Sequence, residues 1–174
     1  MLSSTIHMTD PPGILRRLDR VEIPRPLRRL TAYVVSSPLR RLVRKALALT
    51  PRGFVRHDVL VLCDFSAQLR VEWRTRDIHP WDGTLPADRR CELFRDQAFH
   101  DTDAAIARLF RILPDLDAIE VRVVEPRPPN RAILAGTVAR GDADAARSLA
   151  SPGMRLRLMG VRCRLDGGRL APLD

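Results

Sequence analysis

The chain has 174 residues, of which 45% are hydrophobic and 29% charged, a balance that suits a globular chain of one ordinary domain plus an extra segment. Aromatics make up only 5%, so a core must rest on Leu, Val, Ile and Ala. The formal net charge is +9, carried by 29 arginines and a single lysine, Lys45, and no apolar run approaches the ~20 residues needed to cross a bilayer.

The opening MLSSTIHMTDPP has no charged stretch followed by an apolar one, so no secretory signal is expected. Asp10, Asp19 and Glu22 argue against a mitochondrial presequence. Cys63, Cys91 and Cys163 are widely spaced and form no CxxC pair. They suggest no disulfide framework and read as small core residues, with a cytoplasmic location, peripheral at the membrane at most, as the expectation.

The charge is unevenly placed. Residues 1–57 hold twelve basic side chains against three acidic ones, and residues 58–174 hold eighteen of each. This division marks a basic N-terminal arm, 1–57, ahead of a near-neutral α+β domain, 58–174. Asymmetry of this kind points to an anionic partner for the arm. Leu-Arg-Arg-Leu recurs at Leu15–Leu18, Leu27–Leu30 and Leu39–Leu42, with Pro24, Pro26 and Pro38 between the copies. The third copy predicts a helix, with Ser37 as N-cap and Pro38 as its first residue. Leu39, Leu42, Val43, Ala46 and Leu47 then form one apolar face, and Arg40, Arg41, Arg44 and Lys45 the other. Together with Arg16, Arg17, Arg28 and Arg29, these are the residues expected to bind an anionic partner.

From Asp58 the texture changes. Val59 to Cys63 and the alternating Leu69, Val71, Trp73 and Thr75 predict a β-hairpin. A long helix is predicted from Pro86 to Leu113, with Cys91, Phe94, Ala98, Thr102, Ala105, Leu109 and Leu113 on its apolar stripe, thickened by Ile106 and Phe110. Ile119, Val121 and Val123 mark a strand, Pro126 to Asn130 a turn, and Ala132 to Val138 a second strand. A short helix follows, from Gly141-Asp142 to Leu149. Met154, Leu156 and Leu158 then alternate like a strand, yet Ser151-Pro152 is a helix start and Gly160 a helix stop, which favours one or two helical turns before a final hairpin that turns at Asp166-Gly167-Gly168. The order ββ-α-ββ-α-ββ implies an α+β fold with a mostly antiparallel sheet and helices on one face.

Sites of chemistry are weak. Asp64 and Glu72, with Arg74 two residues on, resemble in spacing the acids of a Mg²⁺-dependent nuclease. Arg74, however, replaces the lysine such a site needs, and Glu72 sits on an alternating charged ladder. Asp77, His79, Trp81 and Asp82 form a candidate ligand loop, in which Trp81 is expected to plug the sheet–helix junction and His79 to lie at the surface. His100, Asp101 and Asp103 read as a solvated helix face. No catalytic, metal or cofactor motif is expected; the glycines match neither a phosphate loop nor a dinucleotide fingerprint.

The functional expectation is a non-enzymatic accessory or interaction protein whose basic amphipathic arm docks on an anionic membrane surface or an acidic protein partner. The alternative is nucleic-acid binding through the same arginines, and a third, less favoured reading is a Mg²⁺-dependent nuclease-like domain using Asp64 and Glu72. Burial of Leu39, Leu42 and Leu47 against the domain would remove the basis for membrane insertion.

Overall fold

The computed structural model describes residues 41, 43, 60–63 and 68–173. Of the Leu-Arg-Arg-Leu repeats only Arg41 is therefore among the described residues; Arg16, Arg17, Arg28, Arg29, Arg40, Arg44, Lys45, Leu39, Leu42, Leu47 and Asp64 lie outside them.

The fold is α+β. In chain order its elements are β1 (Leu60–Cys63), β2 (Gln68–Arg74), a 3-10 turn (Pro80–Thr84), α1 (Ala87–Ile112), β3 (Ala118–Val124), β4 (Ala132–Ala139), α2 (Arg140–Ala146), α3 (Pro152–Leu158), β5 (Arg162–Asp166) and β6 (Arg169–Ala171). The strands β1 to β5 lie in sequence order in one sheet, and β6 folds back on β5 as a hairpin. The sheet is mixed. β1 and β2 are antiparallel, as are β3 and β4 and then β4 and β5, but β2 and β3 run parallel. A parallel pair cannot be joined by a tight turn, and α1 supplies the long crossover that it requires.

Register explains why one sheet face is core. Leu69, Ile119 and Val138 lie side by side across β2, β3 and β4, as do Val71, Val121 and Gly136, then Trp73, Val123 and Leu134. Side chains alternate along a strand, so the opposite face carries the rows Arg70, Glu120, Thr137 and Glu72, Arg122, Ala135. On that face Arg70 donates to Glu120 and Arg122 to Glu72, the cross-strand ladder expected of half-exposed charges.

Against the apolar face packs a stripe of α1. Ala98, Asp101, Thr102, Ala105, Ile106, Leu109 and Phe110 are buried, spaced by three and four residues. Leu156 of α3, Met159 and Val161 join the same core. So does Val43, which is 0% exposed, although it comes from the basic N-terminal stretch. Two cysteine side chains depart from expectation: Cys91 on α1 is half-buried, and Cys163 is exposed on β5, a strand with no buried residue that meets β4 through two register pairs.

Three local devices hold the ends of elements. Leu113 and Pro114 end α1, and Arg140, where β4 passes into α2, reaches back to the last carbonyls. Its Nη1 donates to Phe110 O at 3.2 Å, its Nη2 to Leu113 O at 2.8 Å and Pro114 O at 2.7 Å, and its Nε to Leu116 O at 2.9 Å. The guanidinium also lies 4.8 Å from the Phe110 ring centre. A helix end leaves four carbonyls without intrahelical partners, and one arginine answers several of them while carrying charge favourable to the dipole. At the end of α3, Gly160 takes φ +80°; its N–H donates to Arg157 O at 3.1 Å and that of Val161 to Leu156 O at 2.9 Å. This is a Schellman stop, with the buried Leu156 and Val161 as its apolar pair. Third, a Cβ on Gly136 would stand 2.5 Å from Gly160 O and 2.9 Å from Val161 Cα, so β4 admits the α3–β5 turn only because this residue has no side chain.

Urea unfolding of four variants tests these contacts. Arg140→Ala is expected to cost about 2–3 kcal/mol, and Arg140→Lys not to restore it, since one ammonium cannot reach that spread of carbonyls. Gly136→Ala is expected to destabilise by about 1–3 kcal/mol through overpacking. Gly141→Ala, where an added Cβ meets nothing within 4 Å, should instead gain about 0.5–1 kcal/mol in the α2 helix.

Candidate ligand cleft

Where β2 ends, the chain is tied to α1 before it is free to form a loop. Thr75 N donates to Val124 O at 3.0 Å, extending the parallel ladder by one step. Arg76 then pairs with Asp101 of α1, Nε to Oδ2 at 2.7 Å and Nη2 to Oδ1 at 3.3 Å. Gln97 donates its amide to the carbonyls of Arg76 and Asp77 at 3.1 and 3.3 Å. The expected solvated face of His100, Asp101 and Asp103 is thereby corrected. Asp101 is buried within the helix stripe, where Arg76 compensates its charge. Asp103 is held by three hydrogen bonds from Arg155. Those bonds raise the Arg155 guanidinium pKa above its ordinary value, with the Asp103 hydrogen bonds as the largest cause. His100 remains exposed.

The loop that follows is ordered by its own polar atoms. Asp77 Oδ1 accepts from Ile78 N at 3.0 Å, and Asp77 Oδ2 accepts from Arg127 Nε and Nη2 at 3.1 and 2.7 Å. His79 Nδ1 accepts from Trp81 N at 3.3 Å, which caps the 3-10 turn and places the ring's remaining proton, in the neutral form, on Nε2. Asp82 N donates to His79 O at 2.9 Å, and Arg90 Nη1 to Gly83 O at 2.9 Å. Trp81 does not plug the sheet–helix junction. It is 86% exposed, its ring edge-on to that of His79 at 5.1 Å between centres. The reason lies in the turn: Pro80–Thr84 forms a single 3-10 turn with no buried residue, so nothing carries the indole inward.

Facing this loop is the β3–β4 connection. Glu125 N donates to Arg131 O at 2.9 Å, and the Arg131 guanidinium grips Glu125 through both carboxylate oxygens at 2.9 and 3.0 Å. Those hydrogen bonds, and then the charge of Glu125, raise the Arg131 pKa above its ordinary value. Asn130 takes φ +61°, a conformation asparagine tolerates, and its Oδ1 accepts from Arg74 Nη2 at 2.9 Å.

Between the two loops lies a cleft of about 790 Å³. Asp77 and His79 of the sequence-predicted loop line it; Trp81 stands beside His79, and Asp82 is not among its walls. Sequence reasoning missed Arg90, Phe94, Glu125, Arg127, Arg131 and Leu170, which also line it. They come from α1, the β3–β4 loop and β6, and only the Pro126–Asn130 turn gave a local signal for any of them. Glu72, one of the two candidate nuclease acids, has its Oε2 on Arg122 Nη1 at 2.5 Å, and Arg74 is engaged by Asn130. Among the described residues there is no group of three His, Cys, Asp or Glu side chains that could hold a metal ion, and no helix long and apolar enough to cross a membrane.

Comparison with protein-family models, curated proteins and solved structures finds no match to this chain.

The tie between Arg76 and Asp101 is what sets the loop's position. Asp101→Asn is expected to lower stability by about 2–4 kcal/mol, since it leaves a largely buried guanidinium without its counter-charge. Amide hydrogen exchange at residues 77–83 should accelerate with it. Unchanged exchange there would show that the loop is held without this pair, by Gln97, Arg90 and Arg127.

Proposed function

We propose that the chain is a non-enzymatic interaction protein that docks through its basic N-terminal segment on an acidic protein surface. In this reading residues 1–57 form a helical arm, and the ββ-α-ββ-α-ββ body, 58–174, is its carrier. The charge division supports it, because twelve of the basic residues and only three acidic ones fall in the arm.

The observation that carries the choice of partner is a pair of neighbours. Arg41 and Val43 are both helical; Arg41 is exposed and Val43 is fully buried in the core. Two residues along a helix are about 200° apart around its axis, so the pair reports opposite faces. Val43, turned into its own domain, is not available to enter a bilayer. Arg41 is left outward, where a guanidinium acts by charge and by forked hydrogen bonds to carboxylates. That favours an acidic protein over insertion into an anionic membrane. Nucleic acid is the second anionic class the same arginines could meet.

Because Val43 belongs to the core, cutting away residues 1–57 would damage the body, and the test uses the full chain. A variant with Arg16, Arg17, Arg28 and Arg29 all changed to Gln is compared with wild type for binding to poly-L-glutamate, to phosphatidylserine vesicles and to a DNA duplex. Poly-glutamate binding by wild type that is lost in the variant is the expected result. Equal binding by both chains would sink the proposal. Tighter binding to DNA, with a salt slope of roughly 0.9 per phosphate neutralised, would transfer the function to nucleic acid.

A further inference from the structure

We propose that the cleft between the loop at residues 76–84 and the β3–β4 loop binds a small monoanionic carboxylate carrying an apolar body. The site is separate from the basic arm, so this proposal and the docking proposal fail independently.

Its volume, about 790 Å³, lies within the range of sites that enclose small organic ligands. The lining is of two kinds. Ile78, Phe94, Ile133 and Leu170 give an apolar surface, which suits a hydrocarbon or aromatic body. Arg90, Arg127 and Arg131 give three guanidinium groups, against the two carboxylates of Asp77 and Glu125. Arg127 spends its Nε and Nη2 on Asp77, and Arg131 the same two atoms on Glu125. In each case Nη1 has no hydrogen bond among the described residues.

Arg90 is different. It lines the same cleft but forms no ion pair among the described residues, and its Nη1 donates to a neutral acceptor, Gly83 O. The walls therefore carry one positive charge in excess, which matches one negative charge on a ligand. A dianionic phosphate would exceed that excess and would leave the apolar surface unused. A carboxylate matches the planar fork of a guanidinium and places its hydrocarbon on the apolar walls. The geometry also explains a use for Trp81. Its exposed indole touches the edge of His79, a lining residue, so its emission reports occupancy of the cleft, whereas Trp73 is buried at 1% exposure in the core.

The test titrates the full-length protein with sodium octanoate and, separately, with octanamide at equal ionic strength, followed by calorimetry and tryptophan emission. Octanoate is expected to bind saturably with a shift in emission, and at least about tenfold tighter than its neutral amide. In Arg90→Gln the two affinities should come within about twofold of each other, while Arg90→Lys keeps the preference for the acid. Thermal unfolding shows that each variant is folded, and the acid–amide comparison in wild type decides the matter if one is not. The proposal is overturned if octanoate gives no saturable signal, if acid and amide bind wild type equally, if Arg90→Gln keeps the full preference, or if inorganic phosphate binds more tightly than octanoate.

Discussion

Strands β2 and β3 lie side by side and point the same way, and most of the architecture follows from that pairing. The chain leaving β2 at Arg74 must travel the length of the sheet before β3 can begin at Ala118. It does so as α1, whose buried stripe covers the rows built from Leu69, Val71 and Trp73 with Ile119, Val121 and Val123. The loop before α1 and the loop after β3 consequently emerge at the same end of the sheet, Thr75 beside Val124. A cleft between these loops is thus a product of parallel pairing. Two strands joined by a hairpin would have put those ends at opposite edges.

Arginine does much of the joining. With one lysine in the chain, a GC-rich coding bias is the plain account of why the basic residues are arginines. The structure nonetheless uses what lysine lacks, a rigid fork able to address several acceptors at once. Arg140 closes the end of α1, Arg155 binds Asp103 and the carbonyls of Leu149 and Ala150, and Arg76 allows Asp101 to be buried. Each joins elements distant in sequence. Among the described residues many of these charges meet as pairs across strands, between helices and between loops, while Arg74, Arg90 and Arg140 bond to neutral acceptors instead.

The same contrast separates the two functional regions. In the basic stretch twelve basic residues outweigh three acids, and Arg41 is exposed while Val43 is buried. Attraction there is long-range and weakened by salt. In the cleft, opposite charges are interleaved over an apolar surface.

Much of the scaffold was legible from residue order alone. The periodicity of Ala98, Thr102, Ala105 and Leu109 determined α1, Gly160 its neighbour's stop, and the alternation of Ile119, Val121 and Val123 a strand, because each rests on contacts within a few residues. The α+β class and the placing of Asp77 and His79 in a loop were readable in the same way. Only the tertiary structure decided the parallel pairing of β2 with β3, the inward turn of Asp101, the outward turn of Trp81, and the meeting of Arg90, Arg127 and Arg131 in one cleft. A carboxylate can be buried only where a distant cation awaits it, and an indole enters a core only if its backbone segment does. The sequence by itself determined which faces are apolar and where the charge lies. Which faces meet, and which cations stay uncompensated, depends on contacts between residues 25 to 50 positions apart, such as Arg76 with Asp101 and Asp77 with Arg127.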